Sequence, residues 1–192
     1  MVVFSMMNAR VIALVVVSAC GGASPPVASS PAAAPQQRVK TSELELAIPA
    51  GYTDISASMK QAIPDVSVGL SGPHDAVIVA QRSSGRGGAL DDAGCAERGK
   101  YMVEGGPQIP GKPVKLRSTA VVSWSGGKGC ELDYLTPDGI PTRLFELYPP
   151  STPPTSDTPV EIWTLTCQHA DGDQTALATC RATVGTFVLS AP

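Results

Sequence analysis

Apolar and polar positions follow two rhythms along this chain, and the change from one to the other marks its elements. Leu44, Leu46 and Ile48 alternate with Glu43, Glu45 and Ala47 ahead of Pro49-Ala50-Gly51. That pattern predicts a strand with one buried face, closed by a turn. Ile55 to Ile63 has room for a helical turn ended by Pro64. Val66, Val68 and Leu70 alternate again, Gly72-Pro73-His74-Asp75 turns the chain, and Ala76 to Gln81 returns as the second arm of a hairpin.

From Leu90 to Glu104 the period becomes helical. Leu90, Ala93, Gly94, Glu97 and Tyr101 fall near one side, and Asp91 and Asp92 favour the N-terminal dipole. Four strand-like runs follow Pro113: Val114 to Trp124, Gly129 to Thr136, Thr142 to Tyr148 and Val160 to Gln168. They are separated by Gly126-Gly127-Lys128, by Pro137-Asp138-Gly139 and by a Pro-rich loop from Pro149 to Pro159, and the first three read as an antiparallel meander. The closing helix has Asp171 or Asp173 as its N-cap. Leu177, Cys180, Val184 and Phe187 or Val188 recur along it at three- and four-residue steps, so it should pack on the sheet.

The N-terminal pattern is of another kind. Arg10 provides a positive charge, Val11 to Val17 is wholly apolar, and the small Ser18 and Ala19 precede Cys20. As a helix this run covers only about 10 Å, against the roughly 20 residues needed to span a bilayer, so it reads as the core of a signal peptide. Met7-Asn8-Ala9-Arg10 alone would make an ordinary start to such a signal, which makes Met6 or Met7 an alternative first residue. Gly21 to Gln37 has no charge, no aromatic and no apolar period, and it is expected to be a disordered linker reaching up to about 50 Å. These readings divide the chain into a signal peptide at 1–19, Cys20 and the linker at 20–37, and one globular domain at 38–192. That domain, about 155 residues long, is large enough for a proper core.

Val17-Ser18-Ala19-Cys20 resembles the lipobox of bacterial lipoproteins, with Val17 standing where Leu is commonest. The resemblance implies that Cys20 is lipidated with acyl chains such as palmitate and becomes the first mature residue. Two or three chains, at about 0.8 kcal/mol per buried CH₂, would hold the domain on a membrane permanently. In a Gram-negative host the resemblance implies that Gly21 favours the outer membrane over the inner; elsewhere the anchor is the cell membrane.

The five cysteines then divide as one plus four. Cys95, Cys130, Cys167 and Cys180 are an even set for an oxidising compartment, and three pairings are open to them in principle. Cys167 ends a strand-like run and Cys180 lies on the apolar face of the next helix, so these two can meet where the helix folds back, leaving Cys95 for Cys130. No two of the four have CxxC spacing, so no metal site is expected.

Strands, a central helix, a meander and a closing amphipathic helix together predict an α+β fold, a twisted antiparallel sheet covered by helices. The order resembles the PsbP-like α/β/α sandwich. Leu44 to Tyr52 is similar to that group's opening strand and its P-x-G-aromatic turn, and Trp163 to Cys180 to its last strand and helix. Mycobacterial cell-envelope lipoproteins with this fold share the plan of lipobox, Pro/Ala linker and single domain. The resemblance implies a binding or accessory module with no common catalytic centre, so no functional residue carries over.

Charge narrows the choice further. The chain carries 14 Lys and Arg against 17 Asp and Glu, with no basic run and no aromatics interleaved with bases, which argues against a nucleic-acid partner. It contains no GxSxG, HExxH or P-loop, and no GxGxxG between a strand and a helix. Ser83-Ser84-Gly85-Arg86-Gly87-Gly88 could cradle an anion beside Arg82 or Arg86, but reads first as a flexible connection. His169, Asp171 and Asp173 could form a metal or acid–base site, but read first as a turn that caps the last helix; His74 reads as solvated, and Trp124 and Trp163 as core. No catalytic residue, metal or cofactor is therefore assigned.

Three functions fit. The preferred one is a noncatalytic envelope lipoprotein, anchored to the membrane by its lipid, that binds an envelope protein or surface component through the Pro149 to Pro159 loop and the Tyr148 edge. The second is a carrier of a lipid or small apolar ligand, with a cavity left by Ala93, Gly94 and Ala178. The third is a hydrolase using His169 or a serine beside an acid in a cleft.

Overall fold

The computed structural model describes residues 37–105, 113–150 and 159–190. The signal peptide, Cys20 and the linker before Gln37 therefore lie outside the described residues, as does most of the Pro149 to Pro159 loop.

The alternating runs form the strands β1 (Arg38–Lys40), β2 (Leu44–Ala47), β3 (Thr53–Asp54), β4 (Val66–Ser71) and β5 (Val77–Arg86), followed by β6 (Lys115–Trp124), β7 (Gly127–Leu135), β8 (Pro141–Leu147), β9 (Pro159–Gln168) and β10 (Val188–Leu189). The helices are α1 (Ser56–Ala62), α2 (Asp92–Gly105) and α3 (Gln174–Thr186). Seven strands form one sheet in the order β3-β4-β5-β9-β8-β7-β6, every neighbouring pair antiparallel. β1, β2 and β10 form a second sheet, so the Leu44 strand opens a small sheet of its own.

Strand period two sorts the side chains onto two faces of the large sheet. One face carries Val68, Leu70, Ile78, Ala80, Phe145, Leu147, Trp163, Leu165 and Cys167, and packs against Leu44, Leu46 and Ile48 around β2 and against Cys180, Val184 and Phe187. Phe187, wholly buried where α3 ends, sits 5.5 Å from the Trp124 ring centre and 5.8 Å from that of Trp163, an aromatic group that joins helix, meander and β9. The other face carries Cys130, Leu132, Leu144 and Val121 under Leu90, Cys95 and Met102 at α2. α1 packs beside β4 on this second face, its Met59 over Gly69. The result is helices, sheet, then helix with a small sheet: the expected sandwich.

Local chemistry sets the element ends. The Tyr52 N–H donates to the Pro49 carbonyl at 3.0 Å across a turn whose Gly51 has φ +80°, a conformation that favours glycine. The Asp91 carboxylate accepts from the Gly94 N–H at 2.8 Å at the start of α2, and Asp173, one of the two expected caps, accepts from the Ala176 N–H at 2.9 Å to start α3. Cys95 and Cys130 are bridged with Cα atoms 5.4 Å apart, and Cys167 and Cys180 with Cα atoms 6.2 Å apart, so that each of α2 and α3 is tied to its own face of the sheet.

Three expectations need correction. The packed side of α2 is formed by Cys95 and Gly99 with Met102, while Tyr101 is exposed; the bridge to Cys130 and the close approach at Gly99 choose the face, ahead of its thin apolar pattern. Ser83 to Arg86 is neither an anion cradle nor a flexible connection but the end of β5, because Pro159 to Ile162 of β9 stands opposite and pairs with it. The turn between β6 and β7 is Ser125-Gly126, with Gly127 and Lys128 already in the ladder.

Candidate functional site

The core face of the large sheet continues beyond its cover. After Ile78 and Ala80, the next positions on that face of β5 are Arg82 and Ser84, and β9 places Trp163 opposite Arg82 and Glu161 opposite Ser84. The cover ends at the Thr41 to Glu43 segment, and the uncovered part is an open groove of about 690 Å³, within the roughly 300–1,000 Å³ range of ligand clefts. Thr41, Ser42 and Glu43 line it together with Lys60, Pro64 and Asp65 and with Pro159 to Glu161.

Arg82 organises the floor. Its Nη1 donates to Glu43 Oε1 at 3.2 Å and its Nη2 to Glu161 Oε2. The guanidinium pKa is raised, first by the hydrogen bond and charge of Glu161 and then by Glu43. Glu43 is held from a second side by the Ser67 hydroxyl, which donates to its Oε2 at 3.2 Å. All three charged side chains remain 40–54% exposed, so water or a ligand reaches them.

A second charged group lies at the far end of the same face, and it is closed. Arg143, on β8, pairs with Glu131 and, at 2.9 Å, with Asp133. Arg181 of α3 reaches the same Glu131 at 2.9 Å, and Arg117 holds Asp171 at 3.1 Å. Burial pushes the Asp133 carboxyl up against the opposing pull of Arg117, His169 and Arg181, and pushes the Arg143 guanidinium down. With Glu131 and Arg143 both more than nine-tenths buried, this network fastens α3 to the sheet.

On the opposite face Arg98 of α2 donates to the Tyr148 hydroxyl at 2.7 Å and lies 4.9 Å from its ring centre, while that hydroxyl donates to Glu146 Oε2 at 3.0 Å. Burial raises the pKa of both Glu146 and Tyr148. Tyr148 is only 3% exposed, so it is no docking edge; Arg98 draws it inward.

The remaining predicted residues are dispersed. His74 and Asp75 both have positive φ, 54° and 60°, in the β4–β5 turn. The His74 ring, 78% exposed, meets the Asp173 carboxylate at 3.4 Å. That contact, after the Ala176 N–H, holds the Asp173 pKa down. His169 faces its neighbour's carbonyl, Ala170, at 2.7 Å, so His169, Asp171 and Asp173 serve three different partners and form no common centre. Trp124 and Trp163 are buried in the core. Ala93 and Ala178 are exposed on helices that cover opposite faces, and Gly94 is packed against the Ala89 carbonyl, so these three small residues leave no shared cavity. Among the described residues no three His, Cys, Asp or Glu side chains gather as a metal cluster.

The sequence matches no family model and no curated protein. Its structure is similar to the solution structure of cyanobacterial PsbP (CyanoP) from Synechocystis sp. PCC 6803, with a TM-score of 0.52 and 15% identity over 86% of this chain and 100% of that one. An identity so low speaks for architecture alone. With its antiparallel seven-stranded sheet and its helices on both faces, the domain has a PsbP-like fold.

Proposed function

We propose that the protein is a noncatalytic binding module held on the outer side of a membrane by a lipid on Cys20. The division of its five cysteines carries this reading: four stand as two bridged pairs inside the domain, and the one left over closes the apolar run of the leader. Paired structural cysteines belong to oxidising compartments, where lipoproteins mature. No helix among the described residues is long and apolar enough to cross a membrane. In this reading attachment falls to the acyl chains, and recognition of an envelope partner falls to the domain.

The open groove is the recognition surface in this proposal. It is lined by carboxylates, bases and hydroxyls, with Val66, Val160 and two prolines as its apolar part, which suits polar recognition better than an acyl chain. Neither histidine of the chain lines it, so its serines have no imidazole beside them to act as a base.

Metabolic labelling with an alkyne palmitate, followed by fractionation, tests the anchor. Wild-type protein should carry the label and sediment with membranes, and Cys20→Ala should lose the label. An unlabelled wild-type chain, or a Cys20→Ala chain that keeps the label, would overturn the reading.

A further inference from the structure

We propose that β1 is a releasable strap: it lifts from the edge of β2 by itself, pivoting at Thr41, while the rest of the domain stays folded. The opening is a property of the fold; its consequence, a longer tether, rests on the reading of the protein as lipid-anchored.

β2 is the middle strand of the small sheet, and its alternate backbone groups serve different neighbours. The Ile48 N–H donates to the Gln37 carbonyl at 2.8 Å and the Thr41 N–H to the Leu44 carbonyl at 2.9 Å, so Val39 and Leu46 are the bonded pair between them. On the other side the Ala47 N–H donates to the Thr186 hydroxyl at 3.2 Å and the Ser190 N–H to the Glu43 carbonyl at 2.8 Å, which leaves Glu45 bonded to Val188. Leu46 and Ile48 therefore report on β1, and Glu45 and Ala47 on β10 and α3.

The two sides are held unequally. β10 continues from α3, whose bridged Cys180 and whose Val184 are buried in the core with Phe187. β1 has three residues, exposed at both ends, and Val39 is the apolar side chain it packs on the core. Arg38 reaches Glu45 and, at 3.1 Å, the Thr186 carbonyl, but Arg38 and Glu45 are 37% and 32% exposed, and such pairs add little. An element with so little buried apolar surface opens locally. The turn after it is closed by its own residues, because the Thr41 hydroxyl accepts from the Glu43 and Leu44 N–H groups at 3.2 and 3.0 Å. Opening therefore stops at Thr41. It frees Arg38 to Lys40 and adds about 10 Å to the linker.

The test is amide hydrogen exchange, read by NMR on the detergent-solubilised full-length chain in water and in low concentrations of urea. Leu46 and Ile48 should be less protected than Glu45 and Ala47 by about a hundredfold or more. Their exchange should hardly respond to urea, because releasing a strap exposes little surface. Arg38→Ala should speed Leu46 and Ile48 several-fold further and leave Glu45 and Ala47 unchanged. Equal protection of the four amides, or one urea dependence shared by all, would show that β1 leaves only with the small sheet or the whole domain, and would overturn the proposal. An Arg38→Ala chain in which all four amides change together would do the same. The Cys20→Ala chain should show the wild-type exchange pattern, so the strap and the anchor stand or fail separately.

Discussion

A partly buried acid can be satisfied and still resist ionisation, and Glu146 is such a residue. It accepts from the Tyr148 hydroxyl and lies 3.6 Å from Arg98, yet burial outweighs both and lifts its pKa above the ordinary glutamate value. Between its unfolded and folded pKa the folded chain holds a proton that the unfolded chain has released, so stability falls as pH rises through that window. Glu146→Gln removes this titration while keeping an acceptor for Tyr148. As pH rises from the ordinary glutamate range upward, the melting temperature of the wild type should drop relative to that of the variant. Parallel curves would show that Glu146 titrates normally. Asp133 shifts in the same sense but is present in both chains, so the difference isolates Glu146.

Elements were legible in the sequence where their period was long enough to be seen. The hairpin of β4 and β5, the meander of β6 to β8 and the capped α3 all follow from alternation, turn residues and Asp173. Strands of two or three residues such as β1, β3 and β10 are too short to show a period, and their partners alone create them. Nothing in Ser83 to Arg86 announces a strand at the polar end of β5; only the opposing residues of β9 do. The groove was hidden for a similar reason. It draws single residues from several separate segments, and its one sequence signal is the change from Ile78 and Ala80 to Arg82 and Ser84 at alternate positions of one strand.

The packed face of α2 does not show in its apolar pattern, because a glycine leaves no apolar mark. A Cβ on Gly99 would come within 2.7 Å of Thr119 Cγ2 and 2.8 Å of Leu116 Cδ2, so the helix lies against β6 at a distance only glycine permits. Gly99→Ala gains roughly 1 kcal/mol of helix propensity but must push both side chains back, at a cost of about 1–3 kcal/mol. The expected net result is a lower urea midpoint. A rise of the size seen for glycine-to-alanine changes in open helix interiors would mean that α2 stands further off the sheet.

At the scale of the molecule the two bridges act on opposite faces. Cys167 and Cys180 close a separation of 13 residues and Cys95 and Cys130 one of 35, which in the chain-entropy account contribute about 3 and about 4 kcal/mol respectively. Replacing Cys167 and Cys180 together by alanine should lower the unfolding free energy by about 3 kcal/mol in urea titrations, and the other pair by slightly more. A loss within about 0.5 kcal/mol, as for an ordinary surface substitution, would show that the pair is not bridged in solution.

The place of β9 in the sheet has a consequence for how the domain comes into being. It is inserted between β5 and β8, pairing Val77 with Gln168 on one side and Leu147 with Trp163 on the other. Before it arrives, β3-β4-β5 and β6-β7-β8 are two separate three-stranded ribbons, each with a bare edge. A chain made from its N-terminus therefore cannot close its sheet until its last quarter is available, and α3 and β10 complete the cover only after that. Contacts so distant along the chain are slow to form. The nascent domain must wait, half-built and adhesive, for a keystone that is synthesised nearly last.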